Sequence, residues 1–192
     1  MLNILIFGGP GSGKGTQSDL ITKKYNLKHI STGEFLRNEI AKGTKLGIIA
    51  DSYISKGQLV PDDLMIDMME GLIKEPHDYK GFIFDGYPRT VTQGIALDNK
   101  MAKNEMNIST VLCLDVNEDI LTERLINRGK SSGRSDDNKD TIQRRLEVYH
   151  EETEPLIEYY KKQGKLSRIE GNGNVEEVFA NITNVLNKKV EK

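Results

Sequence analysis

The sequence holds a single cysteine, Cys113, among 192 residues. A lone thiol excludes an intrachain disulfide framework and any cysteine-based zinc cluster, so no structural zinc is expected. Histidine is nearly as scarce: His29, His77 and His150 are scattered without ligand-like spacing. Long apolar runs are missing, and none approaches the roughly 18 residues needed to cross a bilayer. The apolar stretch at residues 2–7 has no basic region before it and a glycine loop after it, so it is not expected to act as a signal peptide. Positive charge is not in excess either. With 27 Lys and Arg against 29 Asp and Glu, the formal net charge of −2 argues against a general nucleic-acid binder. Internal repeats and low-complexity tracts are absent. What remains, 36% hydrophobic and 29% charged residues, is the composition of a globular chain with one substantial core, for which a cytoplasmic setting is expected.

The apolar residues fall into short bursts. Leu2, Ile4, Leu5, Ile6 and Phe7 suit a strand buried on both faces of a parallel sheet, as do "GFIFDG" (81–86) and "STVLCLDV" (109–116). Weaker strand signals lie at 28–32 and 165–171. Helical patterns cover 14–25, 33–42, 62–74, 91–104, 117–128 and 174–188, and a longer one spans 138–163, where Pro155 kinks or restarts it. This alternation predicts an α/β fold with a central five-stranded parallel sheet. Two stretches break it. Residues 31–62 carry two helical patterns with no strand between them, as in a helical insertion. Residues 129–140, "GKSSGRSDDNKD", are polar and aperiodic, which reads as a solvated loop; two arginine-bearing helices flank it, and a lid is the functional alternative.

The loop after the first strand, "GGPGSGKGT", matches G-x-x-x-x-G-K from Gly8, with Gly13 and Lys14 in the required places. Glycines let backbone amides approach phosphate oxygens at the positive end of the following helix, and the lysine supplies a point charge. The usual Ser or Thr directly after the lysine is replaced by Gly15, and Thr16 follows. The Mg²⁺ that accompanies such phosphates is therefore expected to be held by phosphate and water, with Asp85 as an outer-sphere partner. The spacing does not fit a dinucleotide-binding turn.

Only eight of the 27 basic residues are arginine, and five of those, Arg124, Arg128, Arg134, Arg144 and Arg145, lie within 22 positions. Arginine's rigid fork suits bidentate contact with phosphate. With Arg37 and Arg89 in turn-rich contexts, a phosphate-binding cluster is expected. A nucleotide site rich in arginine, with no obvious nucleophile or base, points to phosphoryl transfer by positioning and charge neutralisation. An acceptor that is itself a phosphate is already anionic and needs no base.

Together these motifs resemble the nucleoside monophosphate kinases, most closely the adenylate kinases, over essentially the whole chain: "GGPGSGKGTQ", "STGEFLR", "KGQLVPD", "FDGYPRTVTQ", "ERLINRG", "GRSDDNKDTIQRRL" and "IEGNGNVEEV". The resemblance implies reversible transfer of the γ-phosphoryl group of MgATP to AMP, giving two ADP, by a monomer. It implies a three-layer P-loop NTPase fold with a core at 1–30, 61–128 and 140–192, an NMP-binding subdomain at 31–60 and a short lid at 129–139. By the same resemblance Gly11, Ser12, Gly13, Lys14, Gly15 and Thr16 would hold the donor phosphates, and Arg124, Arg128 and Gly173 would complete the ATP site. The AMP site would comprise Thr32, Arg37, Gln58, Leu59, Val60, Gly86, Tyr87, Pro88, Arg89, Gln93, Arg134 and Arg145. Lys14, Arg89, Arg128, Arg134 and Arg145 would act on the reacting phosphates. Asp136 and Asp137 match paired lid aspartates that would orient arginines, whereas Arg144 and Arg168 match no ligand position. The Tyr87–Pro88 bond is often cis in such proteins. Within the family a UMP/CMP kinase is the alternative; Gln93, able to pair with adenine's edge, and Thr32 favour AMP. From other classes, a non-catalytic ATP/AMP sensor would lack the transfer arginines, and a GTPase-type switch would need N-K-x-D, which does not occur.

Overall fold

The computed structural model describes residues 1–75, 78–132, 134 and 136–190; His77 lies outside them. Five strands, β1 (Ile4–Phe7), β2 (Lys28–Ser31), β3 (Phe82–Asp85), β4 (Thr110–Asp115) and β5 (Leu166–Glu170), form one sheet in the order β2-β3-β1-β4-β5. Every pairing is parallel. Successive strand residues point to opposite faces, and each face has its own core. Leu5, Phe7, Phe82, Phe84, Val111 and Cys113 pack on one side, and Ile4, Ile6, Ile83, Leu112, Leu114 and Ile169 on the other. Both faces are covered, which is why the strands read as unbroken apolar runs.

The second face is closed by α1 (Lys14–Tyr25) and α9 (Val175–Val190) through Ile21, Val178, Ile182 and Leu186. The first is closed by α4 (Asp62–Lys74), α5 (Val91–Lys103) and α8 (Glu154–Lys162), which contribute Met65, Met69, Leu97, Met101, Leu156 and Tyr160. The result is three layers. Between β2 and α4 the insertion folds as α2 (Thr32–Ala41) and α3 (Lys45–Ile54). The two helices meet at Gly47, where a Cβ would stand 2.1 Å from the carbonyl oxygen of Glu39. After β4 come α6 (Glu118–Ser132) and α7 (Lys139–Val148), then a π-helical turn, Tyr149–Thr153, that leads into α8. Short polar side chains begin several helices: Thr44, Thr90 and Asn138 accept the backbone N–H three residues on, at 3.0, 3.2 and 3.0 Å.

Pro155 sits in the first turn of α8, where its missing N–H costs nothing, and the wide turn before it is the form the expected kink takes. Two departures from the sequence reading concern 129–140. First, α6 runs to Ser132, past the expected end at 128. The chain returns directly over Gly129, where a Cβ would lie 2.5 Å from the Asp137 carbonyl oxygen. Second, the solvated-loop reading fails at its centre: Asp136 and Asp137 are each only 6% exposed. Polar composition signals solvent, but here arginines contributed by two helices replace it.

Candidate active site

The loops that follow β1, β3 and α6, together with the α2–α3 insertion, surround a cleft of about 600 Å³ at the carboxyl ends of the strands. That is where open parallel sheets take ligands. Its floor is the glycine loop. Gly11 and Gly13 have φ of 85° and 91°, and a Cβ at Gly11 would meet Leu125 Cγ at 2.9 Å, so both backbone conformation and space demand glycine. Ser12 N–H closes the turn on Gly9 O at 3.1 Å. Lys14 opens α1, and its Nζ donates to Gly8 O at 2.7 Å and Gly9 O at 3.0 Å. Burial lowers the ammonium pKa; Asp85 opposes this, while Arg89, Arg145 and Arg128 add to it, and the value falls to about 8. Gly15 and Thr16 continue the wall, and a Cβ at Gly15 would lie 3.7 Å from Asp85 Oδ2, which puts that carboxylate beside the helix start.

A second wall is built from the insertion and the segment after β3. Thr32 and Arg37 come from α2, Gln58, Leu59 and Val60 from the loop before α4, Gly86, Pro88 and Arg89 from the β3–α5 turn, and Gln93 from the first turn of α5. The Tyr87–Pro88 peptide is cis. Gly86 (φ 81°) allows close approach, since a Cβ there would be 2.8 Å from Thr32 Oγ1. Arg89 is aimed by its own turn: Nε donates to Gly86 O at 2.9 Å, and its carbonyl accepts from Thr153 Oγ1 at 2.9 Å. Its N–H donates to Gln93 Oε1 at 2.8 Å, while Gln93 Nε2 donates to Asp62 Oδ1 at 2.8 Å.

The third wall carries Arg124 and Arg128 from α6, Arg134 from the following turn and Arg145 from α7. Asp137 organises it. Its carboxylate accepts from Arg128 Nε and Nη2 at 2.6 and 2.7 Å and from Arg145 Nη1 at 2.7 Å. Asp136 joins through a 3.1 Å ion pair to Arg145. Burial raises the Asp137 pKa, but the bonds and charge of Arg128 and Arg145 prevail and hold it below the ordinary carboxyl value. The tip of the insertion rests against this wall: a Cβ at Gly57 would sit 3.0 Å from Thr141 O and 3.1 Å from Arg145 Cγ.

Seven basic side chains line the cleft, Lys14, Arg37, Arg89, Arg124, Arg128, Arg134 and Arg145, against four acids, Asp19, Glu34, Asp85 and Asp136. A chain of net charge −2 thus concentrates positive charge in one place. Burial first, then repulsion among neighbours, holds the guanidinium groups of Arg37, Arg89 and Arg134 below their ordinary pKa. Crowded, partly desolvated cations are stabilised by an anion between them. Thiol chemistry has no support: Cys113 does not line the cleft, and burial pushes its pKa up to about 12. Burial raises the Asp85 pKa, yet His29 and Lys14 outweigh it, so Asp85 stays ionised and a weak base.

Of the expected site residues, Ser12 and Tyr87 are buried beneath the surface and do not line the cleft, and Gly173, in the β5–α9 loop, does not line it either. Arg144 and Arg168 pair with Glu147 and Asp115 on exposed surfaces, as expected. Four residues near or in the site escaped the sequence reading. His29 lies 3.3 Å from Asp19 and 3.7 Å from Asp85. Tyr149 and Thr153 reach the cleft from the π-helical turn, a geometry with no periodic signature. Asp62 gives no sequence signal beyond an acidic residue at the start of α4. Among the described residues no group of three or more His, Cys, Asp or Glu is arranged to hold a metal ion, and no helix is long and apolar enough to cross a membrane.

The sequence model of the family described as "Adenylate kinase" matches residues 6–165. Proteins named adenylate kinase are similar over almost the whole chain. The one from Bacteroides thetaiotaomicron is 52% identical over 188 residues, covering 98% of this chain and 100% of the relative. That from Parabacteroides distasonis is 52% identical over 187 residues, 97% and 98% of the two chains. That from Azobacteroides pseudotrichonymphae is 54% identical over 182 residues, 95% of each. The chain belongs to the adenylate kinase family.

Proposed function

We infer that this cleft catalyses reversible transfer of the γ-phosphoryl group of MgATP to AMP, yielding two ADP. The observation that carries the reading is the convergence of a glycine loop and seven basic side chains on one cleft. The acceptor phosphate oxygen is already anionic. It attacks the γ-phosphorus as the bond to the β–γ bridging oxygen breaks, and no proton has to move. The barrier then lies in bringing two polyanions together, which cations in a partly desolvated cleft oppose.

Position in the cleft supports the following roles. Gly11, Gly13, Lys14, Gly15 and Thr16 take the donor phosphates together with Arg124 and Arg128, and Ser12, buried behind them, closes the loop on Gly9. Arg37 and Arg89 hold the acceptor phosphate. Thr32, Gln58, Leu59, Val60, Gly86, Pro88 and Gln93 enclose the acceptor nucleoside, with Tyr87 buried beneath them. Lys14, Arg89, Arg128, Arg134 and Arg145 neutralise the transferred group. A Mg²⁺ ion bound with ATP would supply charge screening of the donor phosphates, with Asp85 holding it through water. The ionised Asp85 carboxylate beside the loop, with glycine rather than a hydroxyl residue after Lys14, fits a cation bound through its water shell. The insertion at 31–60 and the segment 129–139 would close over the pair of nucleotides and exclude water, which otherwise competes as acceptor. The protein is proposed to act as a cytoplasmic monomer, which light scattering on the purified chain would test.

The test of function is ADP formation from ATP and Mg²⁺ with AMP, CMP, UMP or no acceptor. Fast turnover with AMP alone is expected. Preference for CMP or UMP would transfer the assignment to the pyrimidine kinases, and turnover independent of acceptor would overturn it.

A further inference from the structure

Gln93 is 2% exposed, yet it belongs to the cleft wall, and its amide is not free to choose an orientation. The Arg89 N–H can only donate, and it meets Oε1 at 2.8 Å. The Asp62 carboxylate, when ionised, can only accept, and its Oδ1 meets Nε2 at 2.8 Å. The other carboxylate oxygen accepts from Thr90 Oγ1 at 2.9 Å. Thr90 in turn caps α5 by accepting the Gln93 N–H at 3.2 Å. Asp62 opens α4 and Gln93 lies in the first turn of α5, so the network ties the starts of two helices together. A primary amide has two N–H groups and two acceptor lone pairs. One of each is used here, and one of each is left for a ligand.

We propose that Asp62 is a positioning residue that sets the polarity of the Gln93 amide and thereby selects a 6-amino over a 6-oxo purine monophosphate. The proposal rests on Gln93 facing the acceptor base. Adenine offers an acceptor at N1 beside a donor at the 6-amino group, which complements the remaining amide N–H and carbonyl lone pair. Hypoxanthine offers the reverse, a donor at N1 beside an acceptor at O6. A freely rotating amide would flip by half a turn and pair with either. Flipping against Asp62 would set carbonyl oxygen against carboxylate and NH₂ against N–H, leaving two repulsive contacts in a buried site. Selection by Gln93 therefore depends on a neighbour that need not touch the nucleotide.

The experiment compares kcat/KM for AMP with that for inosine monophosphate at saturating MgATP. Asp62→Asn replaces an obligate acceptor by a group that accepts or donates, and the AMP preference should fall about tenfold, a typical discrimination for one bidentate pair. Asp62→Glu, which keeps the acceptor-only chemistry, should restore most of it. Asp63→Asn removes the same charge from the same helix turn without touching Gln93, and should leave the ratio unchanged. Asp62→Ser repeats the test if the Asn variant loses stability. An unchanged ratio in both Asp62→Asn and Asp62→Ser, with a large fall in Gln93→Leu, would overturn the role of Asp62 while sparing Gln93 as the base reader. An unchanged ratio in Gln93→Leu would remove the base-reading assignment, and the proposal with it. An equal fall in Asp63→Asn would assign the effect to helix charge and likewise overturn it.

Discussion

Replacing Asp137 by Asn keeps its shape and removes its charge, and the consequence can be worked from three hydrogen bonds. Two come from Arg128 and one from Arg145, all between 2.6 and 2.7 Å, onto a side chain with no exposed surface. At roughly 1.5–3 kcal/mol for each charge-assisted bond, the three together contribute about 4.5–9 kcal/mol, of which the Asn amide oxygen keeps the two Oδ1 bonds only in weaker, neutral form. Much of it is recovered. The Arg128 side chain is 33% exposed and can turn to water, and Arg145 retains Asp136 at 3.1 Å. Allowing about half or more for that recovery leaves a destabilisation of about 3 kcal/mol, or roughly 6–12 °C in Tm for a chain of this size. Activity should fall further than stability implies. Arg128 and Arg145 would lose the carboxylate that fixes their forks, and misplacement of a transfer group by about 1 Å costs on the order of a hundredfold. Scanning calorimetry and steady-state ADP formation at 25 °C, well below the variant's melting point, separate the two effects. The sign with pH is also determined: Asp137 titrates below its ordinary value of 3.8, so the Tm gap should be full above that pH and close as the pH falls beneath it. A variant that melts within about 2 °C of the parent and turns over within about twofold of it would refute this account of 129–140.

Lys14 titrates at about 8 in the free protein, and its charged form is the one that attracts phosphate, so kcat/KM for MgATP should be level below about pH 7 and fall up to tenfold per unit above 8. Bound phosphates raise that pKa again, so kcat should hold to higher pH; a kcat/KM profile that stays flat past pH 9 would contradict the assignment. Gly47→Ala forces a methyl to within 2.1 Å of the Glu39 carbonyl oxygen, which should spread α2 from α3, cost about 1–3 kcal/mol and raise KM for AMP while KM for MgATP changes little. Equal changes in both KM values would argue that the insertion does not form the acceptor wall. Arg168→Ala removes an exposed 2.7 Å pair with Asp115 and should leave kcat unaltered and shift Tm by less than about 2 °C. A marked kcat loss in that variant would mean the division between cleft and surface arginines is wrong.

The elements legible in the sequence were those with a local cause. Ile4, Leu5, Ile6 and Phe7 read as a two-sided buried strand because each residue faces one of two apolar cores, and apolarity at every position is the direct result. The glycine loop was equally plain, since Gly11 and Gly13 adopt positive φ that other residues disfavour. The helical patterns expected from 91 and 138 begin where Thr90 and Asn138 cap α5 and α7. Even the lid aspartates were placed beside arginines through a motif rather than through periodicity.

Partnership across distance belonged to the fold alone. No local property of "SDDN" says that its two acids are buried, because the arginines that replace water around them arrive from α6 and α7. Asp62 and Gln93 are 31 positions apart and become neighbours only when α4 and α5 pack side by side on the sheet. Thr153 reaches Arg89 O only because a π-helical turn rotates it there. The sequence by itself determined the sheet, the phosphate-facing loop and the chemistry of the cations, since these follow from side-chain pattern and backbone conformation along a few residues. The tertiary structure decided which carboxylate holds which arginine and which way an amide points, because those depend on the spatial meeting of helices that the chain brings together from far apart.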